Sequence, residues 1–207
     1  MDFRGRRVTV MGLGHFGGGG AAARWLARQG AVVTITDLAG EDVLTAAILR
    51  ADGHRTWLGG NIGESLLESL DRIGPGDWVV LELSSFQLWY LNPGTPMPDV
   101  AVVTNCTPNH LDWHGDFAAY RAAKQRILTG QREGDLAVLN PMDPEVRAWG
   151  PLVRGRQLEF FPEAAVPRLR LPGPHNRVDA ACAATAARGL GCGEAFVELI
   201  RGLTRRP

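Results

Sequence analysis

Apolar and polar positions follow two different rhythms along the first forty residues. Val8-Thr9-Val10-Met11 reads as a short buried strand, and Ala21 to Gln29 carries a helical repeat that ends at Gly30. Between them lies Gly12-Leu13-Gly14-His15-Phe16-Gly17, a turn of the GxGxxG type. A second strand, Ala31 to Thr36, ends at Asp37. The order is βαβ, with an acid well beyond the last glycine, as in dinucleotide-binding turns. Glycines let the backbone approach a ligand, and the free amides of a helix start favour an anion. The same glycines also suit tight strand-to-helix packing, so the turn alone selects no nucleotide.

Past Asp37 the rhythm changes. Glu41 to Asp52 is helical and runs through Gly53 to Leu58 into the glycine-rich Gly59-Gly60-Asn61-Ile62-Gly63. Only two strands precede these glycines, too few to close an independent Rossmann sheet. Residues 1–39 are therefore expected to form a partial unit joined to a second one spanning 40–207. In the second unit, strands are predicted at Trp78–Glu82, Val100–Thr104 and Leu136–Asn140, with a helix over Phe117–Gly130. A short helix after Pro141, an irregular stretch from Arg154 to Arg170, and helices near Asn176–Arg188 and Gly193–Leu203 complete the pattern. Strands alternating with helices predict an α/β fold: a truncated Rossmann-like βαβ unit followed by a mainly parallel sheet covered on both faces.

Composition narrows the function classes. The chain has 207 residues, 45% hydrophobic and 21% charged, with formal net charge zero. Such a chain is neither disordered nor drawn to a polyanion, so no nucleic-acid partner is expected. No stretch is long enough to span a bilayer, and the basic start Met1 to Arg7 leads into an apolar run that glycines break at once. No membrane association is expected either. Cys106, Cys182 and Cys192 are odd in number and lack paired metal spacing. They read as small core residues of a reducing, cytoplasmic compartment.

Candidate chemistry begins with a scarcity. Lys124 is the only lysine, and the other long basic side chains are arginines. A guanidinium cannot replace an amine as a nucleophile, so any amine chemistry falls to Lys124. A GxxxxGK[ST] phosphate loop is excluded, since its lysine must stand in a glycine-rich turn. Glu82 ends a predicted strand, His110 follows another, and Lys124 lies on the next helix. Ligands of open α/β sheets collect beyond the carboxyl ends of strands. A carboxylate and a neutral imidazole there suit a divalent cation, and a lysine joins them only as an anionic carbamate. A solvated strand end, a helix-capping histidine and an exposed helical lysine are the plain alternatives. His114 reads as structural or solvent-facing.

The strings LELSSFQ (Leu81 to Gln87), TNCTPNHLDWH (Thr104 to His114), YRAAK (Tyr120 to Lys124), GGNIG (Gly59 to Gly63) and LPGPHN (Leu171 to Asn176) resemble those of the Mur ligases, in the same order. The likeness is nearest to the branch that joins D-glutamate to UDP-N-acetylmuramoyl-L-alanine in peptidoglycan synthesis. It implies that Gly12, Gly14, His15, Phe16, Gly17 and Asp37 hold the UDP moiety. It likewise implies that Asn61, Ser84 and Gln87 contact the muramoyl substrate. Glu82, His110 and a carbamylated Lys124 then serve Mg2+, and Asn176 and Asp179 lie where adenine of ATP is held. The implied reaction is phosphorylation of the substrate carboxylate followed by attack of the glutamate amine.

This chain departs from the family pattern. It lacks the GKT or GKS loop, and Glu41 to Asp52 resembles the tail of the helix that normally follows it. A second shortening falls between Phe160 and Arg168. The chain stops where the glutamate-binding domain would begin. Trp89, Trp113 and Asp179 replace an acid, an arginine and an asparagine. The expectation is a shortened ligase that does not ligate alone. Two other readings stay open: a non-catalytic module binding a UDP-sugar or a partner, and an NAD-dependent oxidoreductase, which leaves Glu82, His110 and Lys124 unexplained.

Overall fold

Trp78 to Glu82 and Val100 to Val103 are buried at every position, as strands must be when both faces of a sheet are covered. The computed structural model describes residues 7–11, 32–37, 41–61, 65–92, 94–95, 97–160, 166 and 174–192. Among them seven strands form one sheet: β1 Arg7–Met11, β2 Val32–Asp37, β3 Thr56–Gly60, β4 Trp78–Glu82, β5 Val100–Val103, β6 Leu136–Leu139 and β7 Arg156–Gln157. All the pairings are parallel. β3 pairs with β4 from Thr56↔Trp78 to Gly60↔Glu82, while β2, β5, β6 and β7 follow one another. β1 joins these groups: it pairs with β2 along its length, with β4 at Arg7 and Val8, and with β3 at Met11. The strands on both sides of position 40 thus share one sheet.

Parallel neighbours need crossovers, and helices supply them. They are α1 Glu41–Ala51, α2 Ser85–Trp89, α3 Leu111–His114, α4 Phe117–Thr129, α5 Pro144–Arg147 and α6 Pro174–Gly189, with a 3-10 turn over Leu66–Arg72. Side chains alternate across a strand, so each strand feeds two cores. Val79, Leu81, Ala101, Val103, Ala137 and Leu139 pack with Leu88, Ile127, Leu128 and Trp149 on one face. On the other face Trp78 and Val80 meet Ile48 and Leu49 of α1 and the alanines of α6. Val100, Val102 and Val138 meet Cys182 and Ala186 there. Fully burying such an aliphatic or aromatic side chain contributes about 1.5–3 kcal/mol.

The α/β expectation holds. Trp78–Glu82 is observed as predicted, and the elements expected to end at Asp52, Thr104, Gly130 and Asn140 each end one residue earlier. The strand expected at Ala31–Thr36 runs Val32–Asp37. Two stretches to which no strand was assigned contain strands. β3 lies where Gly53 to Gly63 carried no strand pattern, and β7 lies within Arg154–Arg170. The helices expected over 21–29 and 193–203 and the turn from Gly12 to Gly17 lie outside the described residues.

Glycines hid β3 in the sequence, and one of them is required by the pairing. Gly60 has φ +113°, and an added Cβ would overlap the backbone carbonyl of Glu82. Gly53 also has positive φ, +86°, but faces open space. Gly60→Ala is therefore expected to lose about 2–4 kcal/mol of stability, from strain plus overlap. Gly53→Ala should lose about 1–2 kcal/mol, from strain alone. Urea denaturation compares the two; equal losses would refute the steric account.

Candidate functional site

The close approach of β3 to β4 fixes the first pair of site residues. Asn61, just past β3, donates its backbone N–H to the Glu82 carbonyl at 3.0 Å and its side-chain Nδ2 to Glu82 Oε1 at 2.9 Å. Glu82 ends β4 and is only 5% exposed, so this neutral donor holds a carboxylate that water barely reaches. Two residues on, Ser84 opens α2 and donates its backbone N–H to Gln87 Oε1 at 3.1 Å. The amide oxygen of buried Gln87 is therefore spent on a helix cap. Asp37 is the last residue of β2, opposite Val103, and so lies at the same carboxyl end of the sheet.

The segment after β5 folds back over α2. His110 takes left-handed φ and ψ of 53° and 34°, the sole non-glycine positive φ among the described residues. Its backbone N–H is held by Asn109 Oδ1 at 2.9 Å. This turn opens α3 and sets the His110 ring 4.9 Å from Phe86 and 6.5 Å from Tyr120. His114 is buried, with Nε2 2.9 Å from Ser85 Oγ. Burial, and then the neighbouring His110, lower its pKa against the opposing pull of Asp112. A neutral, hydrogen-bonded imidazole at this place joins α3 to α2, in keeping with the structural reading of His114.

Lys124 lies inside α4, 5% exposed. Desolvation lowers its pKa from the ordinary 10.5 to about 7, with Asp143 pulling the other way. Its Nζ is 5.6 Å from the Tyr120 ring centroid. Burial raises both Tyr120 and Cys106 to about 12, so these stay protonated. Asp143 caps α5 through Val146 N at 2.9 Å and accepts from Cys106 N at 3.1 Å. Asn140 clamps the ends of β5 and β6, donating to the Thr104 carbonyl at 2.7 Å. Neither Asp143 nor Asn140 was singled out from the sequence. The Asp143-Pro144 helix start was the available signal.

Asn61 and Glu82 are thus bonded directly, while His110 and Lys124 both border Tyr120. Glu82 and His110 form no three-donor cluster with other His, Cys, Asp or Glu side chains among the described residues. Gly12, Gly14, His15, Phe16 and Gly17 lie outside the described residues. Asn176 is in the first turn of α6 and Asp179 further along it, half-buried. Gly189 at the other end of α6 meets Leu136 at the start of β6. The start of α6 is therefore directed to the carboxyl end of the sheet. A cavity of about 460 Å3 among Leu91, Met97, Arg126 and Arg132 includes none of the expected site residues, so volume alone does not mark the site.

The acid Glu82 ends one strand of the parallel sheet, and the His110 imidazole and the buried Lys124 amine follow the next. The Mur ligase middle domain family matches residues 44–161, and the chain belongs to the Mur ligase family. A UDP-N-acetylmuramoylalanine–D-glutamate ligase from Symbiobacterium thermophilum is 44% identical over 132 residues, covering 62% of this chain and 28% of the relative. A UDP-N-acetylmuramoyl-L-alanine–L-glutamate ligase from Xanthomonas campestris is 36% identical over 231 residues, covering 98% of this chain and 48% of the relative. The chain thus spans at most about half the length of these relatives. The 231 aligned positions exceed its own 207 residues, so the Xanthomonas protein carries internal residues that this chain lacks. MurF from Acinetobacter baumannii shares the fold at TM-score 0.60 and 18% identity, covering 91% of this chain and 49% of its own. MurF from Thermotoga maritima, solved in complex with ADP, does so at TM-score 0.57 and 20% identity, with 84% and 50% covered. No helix among the described residues is long and apolar enough to cross a membrane.

The depressed value of Lys124 has a stability signature. Between about 7 and 10.5 the unfolded chain binds the lysine proton and the folded chain does not. Stability therefore rises with pH across that window, and the cost of burial is fully felt only below it. A tenfold change in proton affinity is worth about 1.4 kcal/mol, so the full effect is at most several kcal/mol. In buffer free of carbon dioxide, the urea midpoint of the native chain should climb with pH relative to that of Lys124→Met. Parallel pH profiles would show that the amine is not desolvated.

Proposed function

We propose that the carboxyl end of the sheet is an acyl-phosphate ligase site for a UDP-muramoyl-alanine substrate and glutamate, carried by Glu82, His110 and Lys124. We propose too that this chain alone does not complete the ligation. The observation that supports the site most directly is the buried amine of Lys124, with its pKa near 7. An amine substantially neutral at neutral pH can add carbon dioxide: the nitrogen–carbon bond forms, a proton leaves to water, and an anionic carbamate results. That carbamate and the Glu82 carboxylate offer the oxygen ligands that Mg2+ prefers, with the His110 imidazole as a further donor. The donor set fits the ion, which when bound supplies neutralisation of phosphoryl oxygens.

The remaining assignments follow the family strings. Asp37, Asn61, Ser84 and Gln87 serve the UDP-muramoyl-alanine, with Gly12, Gly14, His15, Phe16 and Gly17 at its diphosphate. Gln87 contributes through its amide nitrogen, because its oxygen caps α2. Asn176 and Asp179 on α6 hold the adenine of ATP. Residues 1–39 derive from the UDP-binding unit and 40–207 from the central one, in a cytoplasmic protein. The amino acid is glutamate. The motif strings favour the D isomer, whereas the relative aligned over 98% of this chain is named for the L isomer.

The expected lack of turnover has a physical cause in the composition. The single lysine is buried in α4, so no ammonium remains to grip the transferred phosphoryl group. Losing one preorganised charge-stabilising group costs about 10²–10³ in rate, and a whole phosphate loop more. A phosphate-release assay with ATP, Mg2+, UDP-N-acetylmuramoyl-L-alanine and either D- or L-glutamate should stay at background. Turnover at the usual ~1–10³ s⁻¹ would overturn that expectation and reveal which isomer is used. The lysine assignment is tested separately by carbon NMR under labelled carbon dioxide. A carbamate resonance is expected in the native chain and not in Lys124→Met; its absence from both removes Lys124 from the site.

A further inference from the structure

α1 and α6 end in the same way. Gly53 and Gly191 take positive φ, +86° and +82°. The next residue in each case, His54 or Cys192, donates its N–H back into the helix, to the Leu49 carbonyl at 2.9 Å or the Ala187 carbonyl at 3.0 Å. The glycine N–H groups bond Arg50 and Arg188 carbonyls at 3.0 and 3.1 Å. These are paired Schellman ends, which fix the backbone just beyond each helix. α1 and α6 pack together against Trp78 and Val80, so their two ends arrive side by side. Asp52, two residues before His54, completes the group.

The donor atoms of Asp52, His54 and Cys192 all lie within 4.8 Å of one another, and no other such trio of His, Cys, Asp or Glu occurs among the described residues. His54 Nε2 is 3.4 Å from Asp52 Oδ2. A tetrahedral zinc ion with bonds of 2.0–2.3 Å separates its ligands by roughly 3.3–3.6 Å, so small side-chain movements would close the site. Thiolate, imidazole and carboxylate are a zinc donor set, poorly suited to magnesium. The His54 ring rests edge-on against Trp78, 5.7 Å between centroids, which limits its rotation. Cys192 is buried, while the His54 and Asp52 side chains are 37% and 21% exposed, leaving water access for a fourth ligand.

We propose that Asp52, His54 and Cys192 bind one zinc-class divalent cation that staples the end of α1 to the end of α6. The site lies beside the start of β4, at the opposite end of the sheet from Glu82, and does not depend on the ligase reading. As the metal–sulfur bond forms, the Cys192 thiol releases its proton to solvent. Burial and the Asp52 carboxylate, which the thiol hydrogen-bonds, hold that proton in the metal-free state, with a pKa of about 12. Binding therefore rests on the metal displacing it.

Cobalt titration of the reduced 207-residue chain tests the proposal. Co2+ should develop a thiolate-to-metal charge-transfer band with four-coordinate visible bands, saturating at one equivalent and reversed by one equivalent of Zn2+. Cys192→Ser should abolish the charge-transfer band, while Cys106→Ser and Cys182→Ser retain it. His54→Ala should weaken binding at least about tenfold. Cation binding at Glu82 or His110 would give no thiolate band. A native chain without the band, or a band that survives Cys192→Ser, overturns the proposal. If Cys192→Ser does not fold, His54→Ala decides, and unchanged affinity in that variant overturns it.

Discussion

Desolvation of one amine governs the carboxyl end of this sheet. Lys124 is placed on α4 where Tyr120, Ile127 and Leu128 make the helix part of the core, so its Nζ cannot reach bulk water. A charge there is opposed by burial and only partly supported by Asp143. The outcome is an amine poised near neutrality. Arginine could not be poised this way, since a guanidinium keeps its proton under such conditions. The single lysine of the sequence therefore coincides with the one place in the described core where a titratable amine is created.

Other features of the site can be read as the scaffold that this amine requires. Asp143 faces Lys124 only because it caps α5, and Asn140 ties the strand before that cap to Thr104. His110 borders the same Tyr120 ring only because it adopts a left-handed turn, which His114 then anchors to Ser85. The exposed Trp89 and Trp113 pack edge to face 5.9 Å apart. Arg126 sits over Trp89 and donates to the carbonyls of Leu88, Trp89 and Leu91. This aromatic contact helps to hold α2 beside α3.

Strongly apolar strands were legible in the sequence because burial on both faces leaves no competing pattern: β4 was found residue for residue. β3 was not, because Gly59 and Gly60 lower its strand propensity and its stability comes from pairing with β4. Local pattern cannot report a partner some twenty residues away. The same limit explains the site. Glu82, His110 and Lys124 stood out by residue type and strand position, and Asn61 by a motif string. The contact of Asn61 with Glu82 depends on register, and the role of Asp143 depends on two helices meeting. The trio at Asp52, His54 and Cys192 was further from view still, since its members come from two helix ends that only α1–α6 packing brings together.

The two ends of the sheet can therefore be considered separately. At the carboxyl end, Asp37 and Glu82 end strands, and Asn61, Ser84, Gln87 and His110 lie just beyond strand ends. β1 pairs with β2, β4 and β3 at once, and β2 carries the sheet on to β5. These pairings keep the sheet continuous in a chain that lacks internal residues present in its relative. At the amino end, α1 and α6 lie over the β4 face and must be held there, although they are distant in sequence. Small alanines let α6 approach closely, but each alanine buries little area, so the contact gains less hydrophobic stabilisation than a leucine seam would. A cross-link between the two helix ends is most useful against such a thin interface, and that is where the thiol, imidazole and carboxylate are found.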